Sequence, residues 1–182
     1  MSYRELKSYQ GAVIIYDFTV QFCRFYIDPK SRTTDQMIQA ARSGKQNIVE
    51  ASMQRTSKKS ELKLLGVARA SLQELLEDYE DFLRQRDLKL WLKDSPNAQA
   101  IRRLIYKTDK SYLTYKPCLK NPEDAANAMI CLINQVNYLL DRQIITLKEK
   151  FVAEGGWTEQ ILRERLNRRA QINKTNWSNK SY

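Results

Sequence analysis

Apolar residues recur at three- and four-residue spacing in four long segments of the chain, which is the pattern of one buried face of an α-helix. These segments are residues 9–26, a stretch beginning at Thr33 or Thr34, residues 58–90 and residues 122–153. Short connections between long helices are typical of an antiparallel bundle. We therefore predict an all-α fold, an antiparallel four-helix bundle.

Local signals mark where several of these helices begin. Thr33 with Gln36 matches a capping box at the start of the second helix. Ser57 is a candidate N-cap for the third helix. Asn121 followed by Pro122 combines a cap with proline at the first helical position, so we expect the fourth helix to start there.

Two further segments lie outside the four-helix pattern. Ser95-Pro96 opens a short helix that should reach about Lys107, and residues 109–120 lack periodicity and are predicted to form a loop. Gly155-Gly156 ends the fourth helix. We predict a bundle at residues 1–156, with an insertion at about 95–120, and a helical suffix with a frayed tail at 157–182.

The apolar stripe of the second helix consists mainly of small residues. Its members are Ile38, Ala41, Gly44, Ile48 and Ala51. Glycine costs up to about 1 kcal/mol relative to alanine inside a helix. We therefore expect Gly44 to lie at a close helix crossing that offsets this cost.

The composition excludes several kinds of chemistry. The chain has no histidine and five glycines, which removes imidazole catalysis and phosphate-cradling glycine loops. Its three cysteines, Cys23, Cys118 and Cys131, are odd in number and far apart, so we expect no disulfide framework or zinc site. The prediction is a protein that is not an enzyme and holds no cofactor or metal.

The charge balance favours binding to polyanions. There are 31 Lys and Arg against 21 Asp and Glu, for a formal net charge of +10. The first ten residues have no apolar leader segment, and apolar runs fall short of the ~18 residues that a membrane span needs. We expect a cytoplasmic protein without membrane association.

One motif links the second and third helices and carries a family resemblance. Its polar members are Arg42, Asn47, Glu50, Arg55, Ser57 and Glu61. With the apolar residues around it, this motif resembles the bacterial four-helix-bundle family first noticed as proteins encoded in intervening sequences of 23S ribosomal RNA genes. That family is similar to the accessory variability protein of diversity-generating retroelements. Residues 131–157 resemble a subgroup with a C-terminal suffix domain.

The resemblance implies a basic homo-oligomer, a pentamer in the retroelement protein, that binds nucleic acid and a reverse transcriptase. The residues themselves leave two roles open for the motif. Glu50 pairs with Arg42 or Arg69 in hydrogen bonds that fix helix register, or Arg42 and Arg55 face an oligomer interface or a bound anion.

The strongest local excess of charge lies at residues 102–120, with six cations and one acid. Cations that neutralise phosphates beside aromatic rings that stack on bases are typical of a single-stranded nucleic-acid surface. The alternative is a solvated loop whose tyrosines pack on the bundle. The candidate binding residues are Arg102, Arg103, Tyr106, Lys107, Lys110, Tyr112, Tyr115 and Lys116.

The suffix is rich in arginine. Pairing of Glu159 with Arg163 and of Glu164 with Arg168 would leave three cations uncompensated. They are Arg165, Arg169 and Lys174. Such a helix binds nucleic acid, lies on a membrane or docks on the bundle. We favour docking, with Trp157 as the anchor.

These observations predict a non-enzymatic, basic, oligomeric bundle protein that binds RNA or single-stranded DNA through backbone phosphates. The alternative is a protein-interaction scaffold or accessory subunit, for example of a reverse transcriptase.

Overall fold

The computed structural model describes residues 2–54, 56–105 and 111–178, of which 173–178 are described by their backbone alone. The described residues are 84% helical, and they contain no strand. The predicted all-α fold class is confirmed. Among the described helices, none is both long and apolar enough to cross a membrane.

Four long helices form the bundle. They are α1 (Lys7–Tyr26), α2 (Arg32–Met53), α3 (Lys58–Arg84) and α6 (Pro122–Glu154). Two short helices, α4 (Pro96–Leu104) and α5 (Tyr112–Tyr115), lie between α3 and α6, and α7 (Trp157–Ser178) follows α6. Short 3-10 turns occupy Tyr3–Glu5 and Lys116–Lys120.

The four long helices pack in a ring in which α1 contacts α2 and α6, and α3 contacts α2 and α6. Ion pairs show the antiparallel arrangement of α3 and α6. Lys58 at the start of α3 pairs with Glu154 at the end of α6 at 2.5 Å, and Arg69 pairs with Asp141 at 3.2 Å. The predicted antiparallel four-helix bundle is therefore confirmed.

A nine-residue stretch near the start of α6 is buried on every side. All nine residues from Ala125 to Ile133 are buried, whereas a bundle helix normally buries one stripe. The bundle covers one side of this segment, and α4 and the 3-10 turn Lys116–Lys120 also pack on α6. The insertion therefore supplies apolar cover that a plain four-helix bundle would lack.

The close crossing predicted at Gly44 is confirmed. A Cβ atom added at Gly44 would lie 2.7 Å from both Cγ and Cδ2 of Leu72 on α3. At the same crossing, the Ser43 and Ser71 hydroxyls are hydrogen-bonded at 2.9 Å. Gly11 has the corresponding role between α1 and α6, because a Cβ there would overlap Val136.

The helix caps follow the sequence signals with one exception. Oxygens of Ser57, Ser95 and Asn121 accept the expected backbone N–H bonds at the starts of α3, α4 and α6. The capping box predicted at Thr33 is wrong. Thr33 is already helical, and its backbone N–H donates to Oγ of Ser31, the actual cap, at 3.2 Å.

The third helix ends earlier than predicted, at Arg84 instead of Leu90. The chain reverses at Asp87, whose φ of 53° lies in the left-handed region, and the Leu88 N–H donates to the Leu83 carbonyl at 3.0 Å. Asp tolerates this conformation better than most residues, so no glycine marks the turn. Residues 88–92, which we call the strap, then run without helix.

The loop predicted at residues 109–120 is wrong for residues 112–120, which form α5 and the following 3-10 turn. Ser111 and Thr114 make a reciprocal capping box. These elements are too short to show a helical period in the sequence. The short helix predicted to reach Lys107 ends at Leu104.

The suffix is helical as predicted but does not dock on the bundle. Gly155, with φ of 76°, ends α6, and Oε2 of Glu159 accepts a hydrogen bond from the Gly156 backbone N–H at 2.9 Å. Trp157 is 51% exposed, and Leu162 and Leu166 are each 55% exposed. The predicted anchoring by Trp157 is therefore wrong. Arginines flank the apolar residues along α7, so docking would take charged groups out of water.

We predict opposite effects for alanine at two helical glycines. Gly66 has nothing within 4 Å of an added Cβ. Gly66→Ala should therefore raise the free energy of unfolding by about 1 kcal/mol. Gly44→Ala should lower it by about 1 kcal/mol, because crowding against Leu72 outweighs the gain in propensity. Urea denaturation of both variants measures the difference, and equal stabilisation would contradict the close crossing.

Candidate nucleic-acid interface

The structure distributes the predicted binding residues over separate places. Arg102 and Arg103 lie in the last turn of α4, which packs on α6. Lys116 is exposed at the start of the 3-10 turn that precedes α6. Arg165 and Arg169 are exposed on α7, beyond the opposite end of α6. Among the residues that the structure describes, the predicted cations of α4 and the 3-10 turn are therefore separate from those of α7.

Two of the tyrosines pack against the protein. Tyr115 is fully buried, and burial raises the pKa of its phenol to about 12. Tyr112 is partly buried against the same core. Tyr115 therefore cannot stack on a base, which corrects its assignment. Tyr106, Lys107 and Lys110 lie outside the described residues, and so does the side chain of Lys174.

The motif shared by α2 and α3 fixes the helix contact in part. Asn47 Nδ2 donates to the Ser43 carbonyl at 2.9 Å and to its hydroxyl at 3.2 Å, and that hydroxyl bonds to Ser71 across the helix pair. Asn47 therefore bonds within α2, and the hydrogen bond that crosses to α3 is made by Ser43.

The pairing expected for Glu50 is not found. Arg69 instead donates to Asp141 and, at 3.0 Å, to Gln73, so the Glu50–Arg69 pair is wrong. Arg42 and Glu50 are both exposed, and the described residues contain no ion pair between them. Burial raises the pKa of the Glu61 carboxyl. Arg55 lies outside the described residues.

A groove of about 670 Å³ lies between α4, α6 and the strap. Its size is that of a small-molecule or nucleotide site. Most of its lining is apolar, with cations and two aromatic rings. The lining residues are Lys7, Glu80, Leu90, Trp91, Lys93, Ala98, Arg102, Ile105, Ile130, Cys131, Asn134, Gln135, Tyr138 and Leu139.

A buried amide holds the strap in place on α6. Asn127 is 1% exposed, and its Nδ2 donates to the carbonyls of Lys89 at 2.8 Å and Glu123 at 2.9 Å. Its Oδ1 accepts from the backbone N–H of Trp91 at 2.7 Å. A buried polar group with its bonds satisfied fixes its partners in one arrangement. The wall that carries Trp91 is therefore preformed.

A second amide fixes the opposite wall. Gln135 Nε2 donates to the Arg102 carbonyl at 3.0 Å and so ties the end of α4 to α6. Burial raises the pKa of the Cys131 thiol, and the Arg102 guanidinium opposes this shift. Arg102 and Cys131 both line the groove.

The groove combines positive charge with accessible ring surface. Lys7, Lys93 and Arg102 supply three cations against the single carboxylate of Glu80. Burial raises the pKa of that carboxyl, with Glu77 and Asp81 adding to the shift. Tyr138 is 64% exposed, whereas Trp91 is partly buried. This arrangement can hold an anion that carries a flat apolar group.

Four groove residues were not indicated by the sequence pattern. They are Lys7, Trp91, Lys93 and Tyr138. The strap places leucines at every second position, at 88, 90 and 92, which is the alternation of an extended segment. That alternation is the signal that could have separated the strap from α3 and drawn attention to Trp91.

The described residues include acidic side chains and three cysteines. No group of Cys, Asp or Glu among them could hold a metal ion. Burial raises the pKa of all three thiols, that of Cys23 to about 12, so they stay protonated near neutral pH. Cys23 and Cys131 are buried and pack as small apolar side chains.

The fold and the groove define an all-α helical-bundle protein with a basic, aromatic-lined groove. Comparison with protein-family models, curated proteins and solved structures finds no match. The resemblance to the intervening-sequence family therefore stays a hypothesis carried by the motif residues alone.

We predict that Asn127 stabilises the strap. Asn127→Ala removes three hydrogen bonds and leaves buried backbone groups unpaired, so the free energy of unfolding should fall by about 2–3 kcal/mol. Under folding conditions, trypsin should cleave Asn127→Ala at Lys89 and Lys93 faster than it cleaves the unmutated chain, because the strap is released.

The matched control is Asn134→Ala on the same helix. Asn134 is exposed, and its Nδ2 donates to the Ile130 carbonyl within α6 at 2.9 Å. Its loss should change stability by about 0.5 kcal/mol or less. Equal effects at the two positions would show that Asn127 has no special role.

Proposed function

We propose that this chain is a non-enzymatic nucleic-acid-binding protein of the cytoplasm that holds RNA or single-stranded DNA mainly by its phosphates. The observation that carries this proposal is the groove, where three cations surround an apolar floor with two aromatic rings. A formal net charge of +10 supports it, because such a field attracts polyanions from any direction.

Exposed cations extend the basic surface beyond the groove. Arg103, Lys116 and Lys120 are solvent-exposed on α4 and the 3-10 turn. Each phosphate that such a cation neutralises releases a counterion, so affinity falls steeply as salt rises. Binding of this kind reads little sequence and responds mainly to the number of cations in reach.

Reversing the charge of three cations on α4 and the 3-10 turn should weaken RNA binding more than reversing three cations near the start of α3 and the end of α6. The test variant is Arg103→Glu with Lys116→Glu and Lys120→Glu. We expect about a tenfold or greater loss of affinity for labelled single-stranded RNA at low salt, and a shallower salt dependence. Fluorescence anisotropy across a salt series measures both quantities.

The matched control makes the same charge change far from the groove. Lys59, Lys63 and Lys148 are exposed near the start of α3 and the end of α6. Their reversal to glutamate should cost less affinity. Equal losses of affinity in both variants would show that only the net charge matters. If the native chain retains no RNA at low ionic strength, the proposed function is overturned.

A second function, that of a protein-interaction scaffold, is favoured by α7. Ile161, Leu162 and Leu166 are exposed on this helix, which leaves apolar surface for another chain. Val152 near the end of α6 is also exposed. Such surface is typical of contact sites. The partner would be a second copy, giving a homo-oligomer that the family resemblance suggests is a pentamer, or an enzyme such as a reverse transcriptase.

The oligomer hypothesis predicts an effect of charge on one face of α7. Leu162→Glu with Leu166→Glu should reduce the solution mass of the full chain, measured by light scattering, because the apolar contact is lost. Asn167→Glu with Gln171→Glu adds the same charge to the opposite face and should leave the mass unchanged. A monomeric native chain would contradict this hypothesis.

A further inference from the structure

We propose that the groove between α4, α6 and the strap binds an unpaired nucleobase, so that the preferred ligand is single-stranded rather than duplex nucleic acid. This inference rests on the proposed function and names its ligand. The proposed function involves contacts with phosphates, and this inference adds a contact with a base.

The two rings of the groove are placed in different ways. The backbone of Trp91 is held by Asn127, so that ring is carried on a fixed wall. Tyr138 projects from α6 with 64% of its surface exposed. Every base has a π-face, so aromatic rings bind single strands with little sequence preference. A ring carried on a fixed wall and an accessible ring in the same groove are suited to this mode.

The floor of the groove requires an apolar occupant. Ile105, Ile130 and Leu139 line it, and Ile105 and Ile130 are buried with the core. A base in a duplex is stacked on both faces and cannot reach such a floor without leaving its pair. A base in a single strand reaches it at lower cost. The depth of apolar lining therefore favours an unpaired base.

The cations of the groove fit the charge of the same ligand. Lys7, Lys93 and Arg102 belong to three different segments of the chain that meet around the apolar floor. A nucleotide inserted by its base keeps its phosphates at the rim of the site, within reach of such side chains. The Glu80 carboxylate repels an anion at this site, but three cations line the same groove.

An acidic apolar peptide is the competing occupant, because it also offers negative charge and apolar groups. Helical peptides are read through apolar anchors at i, i+3, i+4 and i+7 rather than through flat rings. The rings of Trp91 and Tyr138 favour the base. The peptide is therefore treated as one outcome of the experiment.

The test uses the emission of Trp91 as the reporter. The chain has three tryptophans, and Trp157→Phe with Trp177→Phe leaves Trp91 alone. Oligouridylate should quench its emission, whereas duplex RNA of equal length should quench it weakly. Tyr138→Ala should lower the affinity for oligouridylate about tenfold and leave duplex affinity unchanged, and Tyr138→Phe should retain binding.

The outcomes separate this inference from the proposed function. Salt-dependent binding of oligouridylate without quenching of Trp91, and with native affinity in Tyr138→Ala, would overturn the base site and leave phosphate binding intact. Binding of neither single strand nor duplex at low salt would overturn both. Quenching by an acidic apolar peptide but not by oligouridylate would assign the groove to a protein ligand.

Discussion

The structure depends on one constraint, the burial on all sides of a nine-residue stretch near the start of α6. Nine successive residues, Ala125 to Ile133, are removed from water, and a helix that is apolar all round must be covered all round. The bundle covers one side through the packing of α6 against α1 and α3. The insertion has to cover the other, which explains why α4 and the turn before α6 are present.

The groove forms where this cover ends. Beyond Ile133 the outer face of α6 becomes polar or exposed, beginning with Asn134 and Tyr138, while the inner face continues with Val136 and Leu140. At this transition the strap and α4 leave apolar floor beside solvent-exposed side chains. The polar residues that tie the cover down, Asn127 and Gln135, also determine the shape of the groove walls.

The features of the fold that have a local signal in the sequence could be predicted. Ser57 and Asn121 cap their helices through hydrogen bonds to residues at most three positions away. Gly44 indicated a close helix contact, because glycine inside a helix lowers stability unless packing offsets it. The aspartate at the Asp87 turn carries no distinct local signal of its left-handed conformation, so only the alternation of leucines after it marks the end of α3. The burial of Tyr115 depends on tertiary packing, so its charged surroundings in the sequence were misleading.

The separation of the basic regions determines how they act together. The groove ends at Leu139, and α6 continues for 15 residues, about 22 Å, before α7 begins. This distance exceeds the Debye length of about 8 Å at physiological salt, so the arginines of α7 do not strengthen the field at the groove. Under the proposed function, one strand that is long enough to span both regions would add their binding free energies, so affinity would depend on strand length as well as on net charge.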